Sequence, residues 1–192
     1  GAISSNLLDS LLFGHEKDAF AGAFGRRIGI FQQAEGGTVF LDEVDLLPPE
    51  TQIRLVRLLT QNEISPLGAA HSYRMDVRIL SASNVSLANK LANGQFREDL
   101  YYRICEMVIN IPPLREREGD KILIANHLLN KFSSAEKRNI KGFTSEANQA
   151  IESYNWPGNI REMENKIKKS SKLVTNLGSG DSLSMGAFEL LG

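Results

Sequence analysis

The stretch "GGTVFLDE", residues 36–43, decides how the rest of the sequence is read. Two glycines allow a tight turn, a compact apolar run follows, and two carboxylates close it. A short apolar run bounded by turn signals suits a fully buried parallel strand. Working outward, "LPPETQIRLVRLLTQNE" (47–63) starts on prolines, which a helix tolerates at its first turn, and Ile53, Val56 and Leu59 recur at helical spacing. "MDVRILSAS" (75–83) reads as a second strand. "EMVINIPP" (106–113) reads as a third, because Met107, Ile109 and Ile111 alternate. Upstream, "NLLDSLLF" (6–13) reads as an amphipathic helix with Asn6 as a cap, followed by a charged, helix-like stretch to Lys17. Strands that alternate with helices predict an α/β layer structure with a parallel sheet.

The composition changes at "PPLREREGD" (112–120), where prolines end the strand and a charged joint follows. Beyond it only helices are expected. "KILIANHLLNKF" puts Ile122, Ala125, Leu128, Leu129 and Phe132 on one face. Thr144 opens the next helix as a cap, and Asn159 with Glu162 has the spacing of a capping box. A helical domain of about 75 residues therefore follows an α/β domain of about 115. The boundaries are set at 1–116 and 117–192. The tail from Gly178 on, with its "GSGDS", is the weakest segment.

Composition narrows the function classes. The chain has 192 residues, 42% apolar, with a formal net charge of −1. That balance gives no general attraction to nucleic acid. The single cysteine, Cys105, excludes an internal disulfide framework and fits a reducing compartment, the cytoplasm. No apolar run approaches the ~20 residues that span a bilayer, so no membrane role is expected.

Four places can carry chemistry. Asp42 and Glu43 stand at the carboxyl end of a strand, where open α/β sheets bind ligands. There an Asp can hold magnesium through water, and its neighbour Glu can orient or deprotonate an attacking water. This is the Walker B arrangement of nucleotide hydrolases; a solvated acidic turn explains the same two residues equally well. Asn84, ending "SASN", suits a γ-phosphate or its attacking water, or the cap of the next helix. Arg97 and Arg103 suit forked phosphate recognition across a subunit boundary, or surface ion pairs with Glu98 or Asp99. Arg161 opens the last helix and suits a phosphate or solvent. The fifth stretch, "KDAFAGAFG" (17–25), offers Phe20 and Phe24 on a backbone of small residues, to be folded back into the core or offered to a partner.

Taken in order along the chain, these motifs resemble a known family. "LLFGHEKDAFAGA", "GGTVFLDEVDLLP", "GQFREDLYYRI", "PPLRERE" and "WPGNIREMEN" are similar to the central AAA+ domain of bacterial enhancer-binding proteins, the NtrC-like activators of sigma-54 RNA polymerase. The resemblance implies an AAA+ parallel-sheet ATPase core with a small all-helical lid. It implies ATP and magnesium as cofactors. Asp42 and Glu43 match the Walker B acids, with Asp42 toward magnesium through water. Asn84 matches sensor I, Arg97 and Arg103 the arginine fingers, and Arg161 the sensor II arginine. Asp18, Ala19, Phe20, Ala21, Gly22 and Ala23 match the GAFTGA loop that contacts the sigma factor, which would place Phe20 outward, and Pro66 to Tyr73 match a second pore-side loop. Such domains form rings, usually hexamers, with ATP between subunits, and hydrolysis remodels the closed promoter complex. DNA binding is expected only through a domain this chain does not carry.

The sequence departs from that family pattern in three ways. Asp18 replaces the loop's first Gly, and Ala21 replaces its Thr. No G-x-x-x-x-G-K-[ST] occurs; the phosphate-cradling loop and its strand are expected ahead of Gly1, and this chain alone is expected to bind ATP weakly and hydrolyse it barely. The principal reading is a segment of an ATP-driven, sigma-54-dependent transcription activator. The alternative is a non-catalytic AAA+ regulatory or assembly module with a degenerate sigma-contact loop. A third reading, another AAA+ remodeller such as a protease partner, is disfavoured by the GAFTGA-like stretch.

Overall fold

A computed structural model of the protein describes residues 5–135 and 140–173. The tail expected to be weak, from Gly178 on, lies outside the described residues. The chain divides into two compact units between Val108 and Ile109. In chain order the first unit runs α1 (Ser5–Phe13), β1 (Gly14–His15), β2 (Arg27–Ile28), α2 (Ile30–Gln33), β3 (Thr38–Leu41), α3 (Pro49–Gln61), β4 (Glu63–Ile64), β5 (Tyr73–Arg74), β6 (Arg78–Ser81), α4 (Leu87–Ala92) and α5 (Glu98–Ile104). The second holds α6 (Asp120–Ala135), α7 (Ser145–Ser153) and α8 (Asn159–Leu173).

The decisive stretch folds as a parallel strand. β3 pairs with β6 in register from Thr38 with Arg78 to Leu41 with Ser81. Backbone bonds carry the ladder past both strand ends, from Ala82 N to Leu41 O (2.9 Å) and from Val44 N to Ala82 O (3.0 Å). Full burial, however, does not hold. Val39 and Leu41 are buried, whereas Phe40 is 61% exposed beside a half-exposed Leu80. Strand side chains alternate between faces, and among the described residues only one face of this sheet is well covered. The segment that follows α1 is β1, not the helix-like stretch expected, since Gly14 and His15 pair antiparallel with Ile28 and Arg27.

The first core gathers Leu12 and Phe13 of α1, Phe31, Val39, Leu41, Leu55 and Leu58 of α3, Ile64, Met75, Phe96 and Leu100. α3 starts with Pro49 at its first turn, as expected, and ends at Asn62 in the left-handed conformation. Its phase differs from the expected stripe. Leu55 and Leu58 face inward with Thr51 and Gln52, while Ile53, Val56 and Leu59 are only partly buried. Polar residues in the buried stripe concealed the true face. Thr51 donates to the buried Asp9 of α1 (2.5 Å), and Arg54 completes that site at 3.1 Å. Asn6 lies inside α1, which begins at Ser5, so it is not the cap.

The expected third strand is absent. Residues 106–113 adopt no strand pairing, and Met107, Val108, Ile109 and Ile111 are between 61% and 83% exposed. Alternation alone does not make a strand; a ladder partner must supply its hydrogen bonds, and none stands beside it among the described residues.

The second unit is helical, as expected. Ala125, Leu128 and Leu129 of α6 pack with Phe143, Ala147, Ile151, Trp156, Met163 and Ile167, with Ile122 and Phe132 partly buried against them. Thr144 caps α7 by accepting from Ala147 N. The buried Lys121 ammonium donates to the carbonyls of Glu152 and Tyr154, satisfying groups that the end of α7 leaves open. The expected Asn159–Glu162 capping box is not formed. Glu162 reaches back to Gly158 N (2.8 Å), and Asn159, at φ 52°, turns its carbonyl to Leu114 N (2.8 Å). Through this side-chain oxygen Asn159 ties the joint to α8 instead. Among the described residues, no helix is long and apolar enough to cross a membrane.

Candidate functional site

The parallel pairing of β3 and β6 brings the two polar strand ends side by side. Asp42 and Glu43 follow Leu41 directly, and both are exposed. Glu43 sits in the left-handed region at φ 52°, and Asp42 Oδ1 accepts its N–H at 2.9 Å. A non-glycine residue in this region is uncommon. Across the gap, Asn84 Nδ2 donates to Glu43 Oε1 at 3.3 Å. One turn behind, Ser83 Oγ donates to the buried Asp45 (2.8 Å), locking the end of β6 to the turn after β3. The cap of α4 is Ser86, so Asn84 is free of that duty. Three of the expected residues, Asp42, Glu43 and Asn84, thus form one polar cluster at a strand end.

Neither acid has a cation partner among the described residues, and no group of three or more His, Cys, Asp or Glu there is arranged to hold a metal. An exposed Asp with room for water fits magnesium, which keeps several waters and leans on substrate phosphates for the rest of its shell. A Glu hydrogen-bonded by an Asn fits the orienting of a water.

Arg97 and Arg103 lie on a different element. Arg97 is the residue before the first turn of α5, and its guanidinium forks onto Asp99, at 3.0 Å to Oδ1 and 2.8 Å to Oδ2. The hydrogen bonds of this pair raise the Arg97 pKa further and hold the Asp99 carboxyl below the usual carboxylate range. Arg103, in the last turn, approaches Glu106 at 3.8 Å. Both arginines are exposed. Arg161 belongs to the second unit, in the first turn of α8; it is exposed and enters no ion pair among the described residues.

The small-residue stretch forms a closed loop. Asp18 N donates to Ala23 O (2.8 Å) and Ala23 N to Phe20 O (2.9 Å). Asp18 takes φ 64°, so the backbone keeps the conformation a glycine would favour without having one. Ala23 is buried and Ala21 and Gly22 are exposed. Phe20 does not point freely outward as expected. It is half-buried and meets the ring of His15 edge-on, centroids 5.1 Å apart. His15 is in turn held by Ser10 Oγ at 2.6 Å. Phe24, 90% exposed, is the outward aromatic.

The sequence reading missed how the second loop grips the first. β4 and β5 form a hairpin whose loop carries Leu67, which bonds Gly14 O and Glu16 N at 3.0 and 2.9 Å. Gly68, at φ 72°, leaves so little room that a Cβ there would lie 2.8 Å from Ala19 Cβ. A glycine at the tip of a hairpin was the available signal.

Comparison with known proteins follows the same division. The sigma-54 interaction domain matches residues 1–110, and the AAA+ ATPase lid domain matches residues 115–185. The transcriptional regulatory protein ZraR of Salmonella typhimurium is 44% identical over 174 residues, 91% of this chain and 40% of ZraR. The nitrogen fixation protein AnfA of Azotobacter vinelandii is 44% identical over 168 residues, 88% of this chain and 32% of AnfA. GlrR of Escherichia coli is 41% identical over 98% of this chain and 43% of its own length. The crystal structure of NtrX from Brucella abortus in complex with ADP superposes with a TM-score of 0.86 at 25% identity, covering 97% of this chain and 40% of NtrX; the complex with ATP gives the same values. The chain therefore spans less than half the length of these relatives.

Proposed function

The chain belongs to the sigma-54 interaction domain family, with an AAA+ lid domain after it, and from that premise we propose that it is the motor segment of an ATP-driven, sigma-54-dependent transcription activator. The observation that carries the reading is the contact of Asn84 with Glu43 beside Asp42, at the aligned ends of two parallel strands. Asp42 would hold magnesium through water, and magnesium with ATP would supply the charge neutralisation and the scissile phosphate. Glu43 orients the attacking water and accepts its proton, and Asn84 fixes the Glu43 carboxylate in the direction that serves this. Arg97 and Arg103 serve a neighbouring subunit's nucleotide, and Arg161, as a sensor II arginine, reaches a phosphate from the lid. This division of labour needs a ring, in the manner of a hexamer, with a functional joint at residues 116–117. The loop Asp18–Ala23, supported by the hairpin loop at Leu67 and Gly68, is the surface toward sigma-54 RNA polymerase. DNA is reached through another domain of the full-length protein, which acts in the cytoplasm. ATP in the Brucella abortus NtrX structure supports the choice of nucleotide.

The test uses the full-length protein that contains this chain. Glu43→Ala is expected to keep ATP binding within about threefold and to lose turnover by about a hundredfold or more, the usual scale for removing a general base. Unchanged turnover in Glu43→Ala contradicts the assignment. Failure of the natural protein to turn over ATP at all favours the non-catalytic regulatory module.

A further inference from the structure

One buried polar side chain is absorbed by none of these roles. Gln52, in the first turn of α3, is 2% exposed and spends its whole amide on backbone of two separate segments. Its Nε2 donates to Leu47 O at 2.8 Å and to Gln95 O at 3.4 Å. Its Oε1 accepts from Arg97 N at 2.9 Å. Leu47 closes the turn that begins at Glu43. Gln95 and Arg97 flank Phe96, which is sunk in the core. Arg97 stands ahead of α5 with a backbone N–H that no helix bond serves, so Gln52 is the acceptor that fixes it. The neighbouring inward positions Leu55 and Leu58 are apolar. A leucine at 52 would fill the same face and leave Leu47 O, Gln95 O and Arg97 N short of these partners.

We propose that Gln52 is a positioning residue, a single amide that braces the acid-bearing turn after β3 and the backbone that aims Arg97, so that the two move together. The inference rests on the reading of Arg97 as serving a neighbouring subunit. The side chain touches no nucleotide and acts only through the backbone on either side of it. Coupling by one amide makes the posture of Arg97 depend on the posture of the Asp42–Glu43 turn in the same subunit.

Two readouts on the full-length protein test it. In the absence of nucleotide, Gln52→Met is expected to speed amide hydrogen exchange at Arg97 by about tenfold, the loss of one net hydrogen bond, and to leave Tyr101 N, bonded to Arg97 O, near its natural rate. Uniform acceleration across α3 and α5, or continued protection at Arg97, overturns the proposal. The second readout is ATP turnover in mixed assemblies. Gln52→Met loses the brace on both sides, so it is expected to lose turnover alone and to stay inactive when mixed with either Glu43→Ala or Arg97→Ala. The pair Glu43→Ala with Arg97→Ala is the reference. If the reference pair does not complement, the reading of Arg97 across subunits falls, while the exchange result still decides the anchoring. If the reference complements and Gln52→Met regains turnover with Glu43→Ala, the brace on the acid-bearing turn falls; if it regains turnover with Arg97→Ala, the brace on Arg97 falls. Should Gln52→Met not fold, Gln52→Glu replaces it. That variant keeps the acceptor for Arg97 N and loses both donated bonds, so Arg97 stays protected while turnover drops; full turnover in Gln52→Glu overturns the link to the acid-bearing turn.

Discussion

Single residues in this chain are set by their backbone neighbours more than by their type. Asp18, Glu43 and Asn159 all hold positive φ without being glycine, and each lies in a motif that stood out in the sequence. The two phenylalanines of the first loop show how far residue type alone misleads. Phe20 rests on His15, whereas Phe24 has 90% of its surface in solvent. Phe20→Ala is therefore expected to cost about 1 kcal/mol, the scale of an aromatic pair with partial burial, and Phe24→Ala to stay within about 0.5 kcal/mol of the natural protein. Urea unfolding of both variants checks the order, and an equal or reversed cost contradicts it. Arg97 and Asp99 make a second case. A carboxyl held below its ordinary range adds stability that is full above the unfolded-state value near 4 and is lost as pH falls through the lower folded value. The pair is exposed, so its share of folding stability is small. Its expected signature is an Asp99 carboxyl that titrates below the ordinary aspartate value by NMR, and that moves up toward that value in Arg97→Ala. An Asp99 titration at the ordinary value in the natural protein would show that the fork is not held in solution.

At the scale of elements, the sequence was most readable where a pattern and a stop signal agreed. β3 is bounded by glycines and acids, α3 begins at prolines, and Thr144 caps α7; all three appear where expected. Legibility ended where the deciding partner lay far away in sequence. Residues 106–113 alternate as a strand does, yet no ladder stands beside them. Glu162 and Asn159 have capping-box spacing, yet Asn159 turns to Leu114, 45 residues earlier. Asp42, Glu43 and Asn84 each stood out in the sequence as polar strand-end residues, and the parallel pairing of β3 with β6 sets them side by side. The roles of Gln52, His15 and Gly68 were not foreseen, because each depends on a contact that no local pattern encodes. The helical unit hangs on one indole. Trp156 is 1% exposed, holds φ 48° and donates Nε1–H to Ile151 O at 2.9 Å. Trp156→Ala is expected to destabilise this unit by about 3–5 kcal/mol, the cost of emptying a large aromatic site in a core. Denaturant unfolding followed by a probe in α6–α8 measures it, and a loss under about 1 kcal/mol would contradict the packing described.

At the scale of the whole molecule, the two units carry different parts of one proposed machine. The first holds the acids, Asn84, Arg97 at the start of α5, Arg103 within it, and both loops; the second holds Arg161 on a compact helical body. On the proposed reading, the acid cluster and the loops act in one subunit, and Arg97 and Arg103 act on the next. The most direct measurement is ATP-dependent open-complex formation at a sigma-54 promoter by the full-length protein, set beside its Glu43→Ala variant. The account predicts open complexes with the natural protein and magnesium-ATP, and none with Glu43→Ala despite retained nucleotide binding. Open complexes formed equally well by Glu43→Ala, or by the natural protein without ATP, would contradict it.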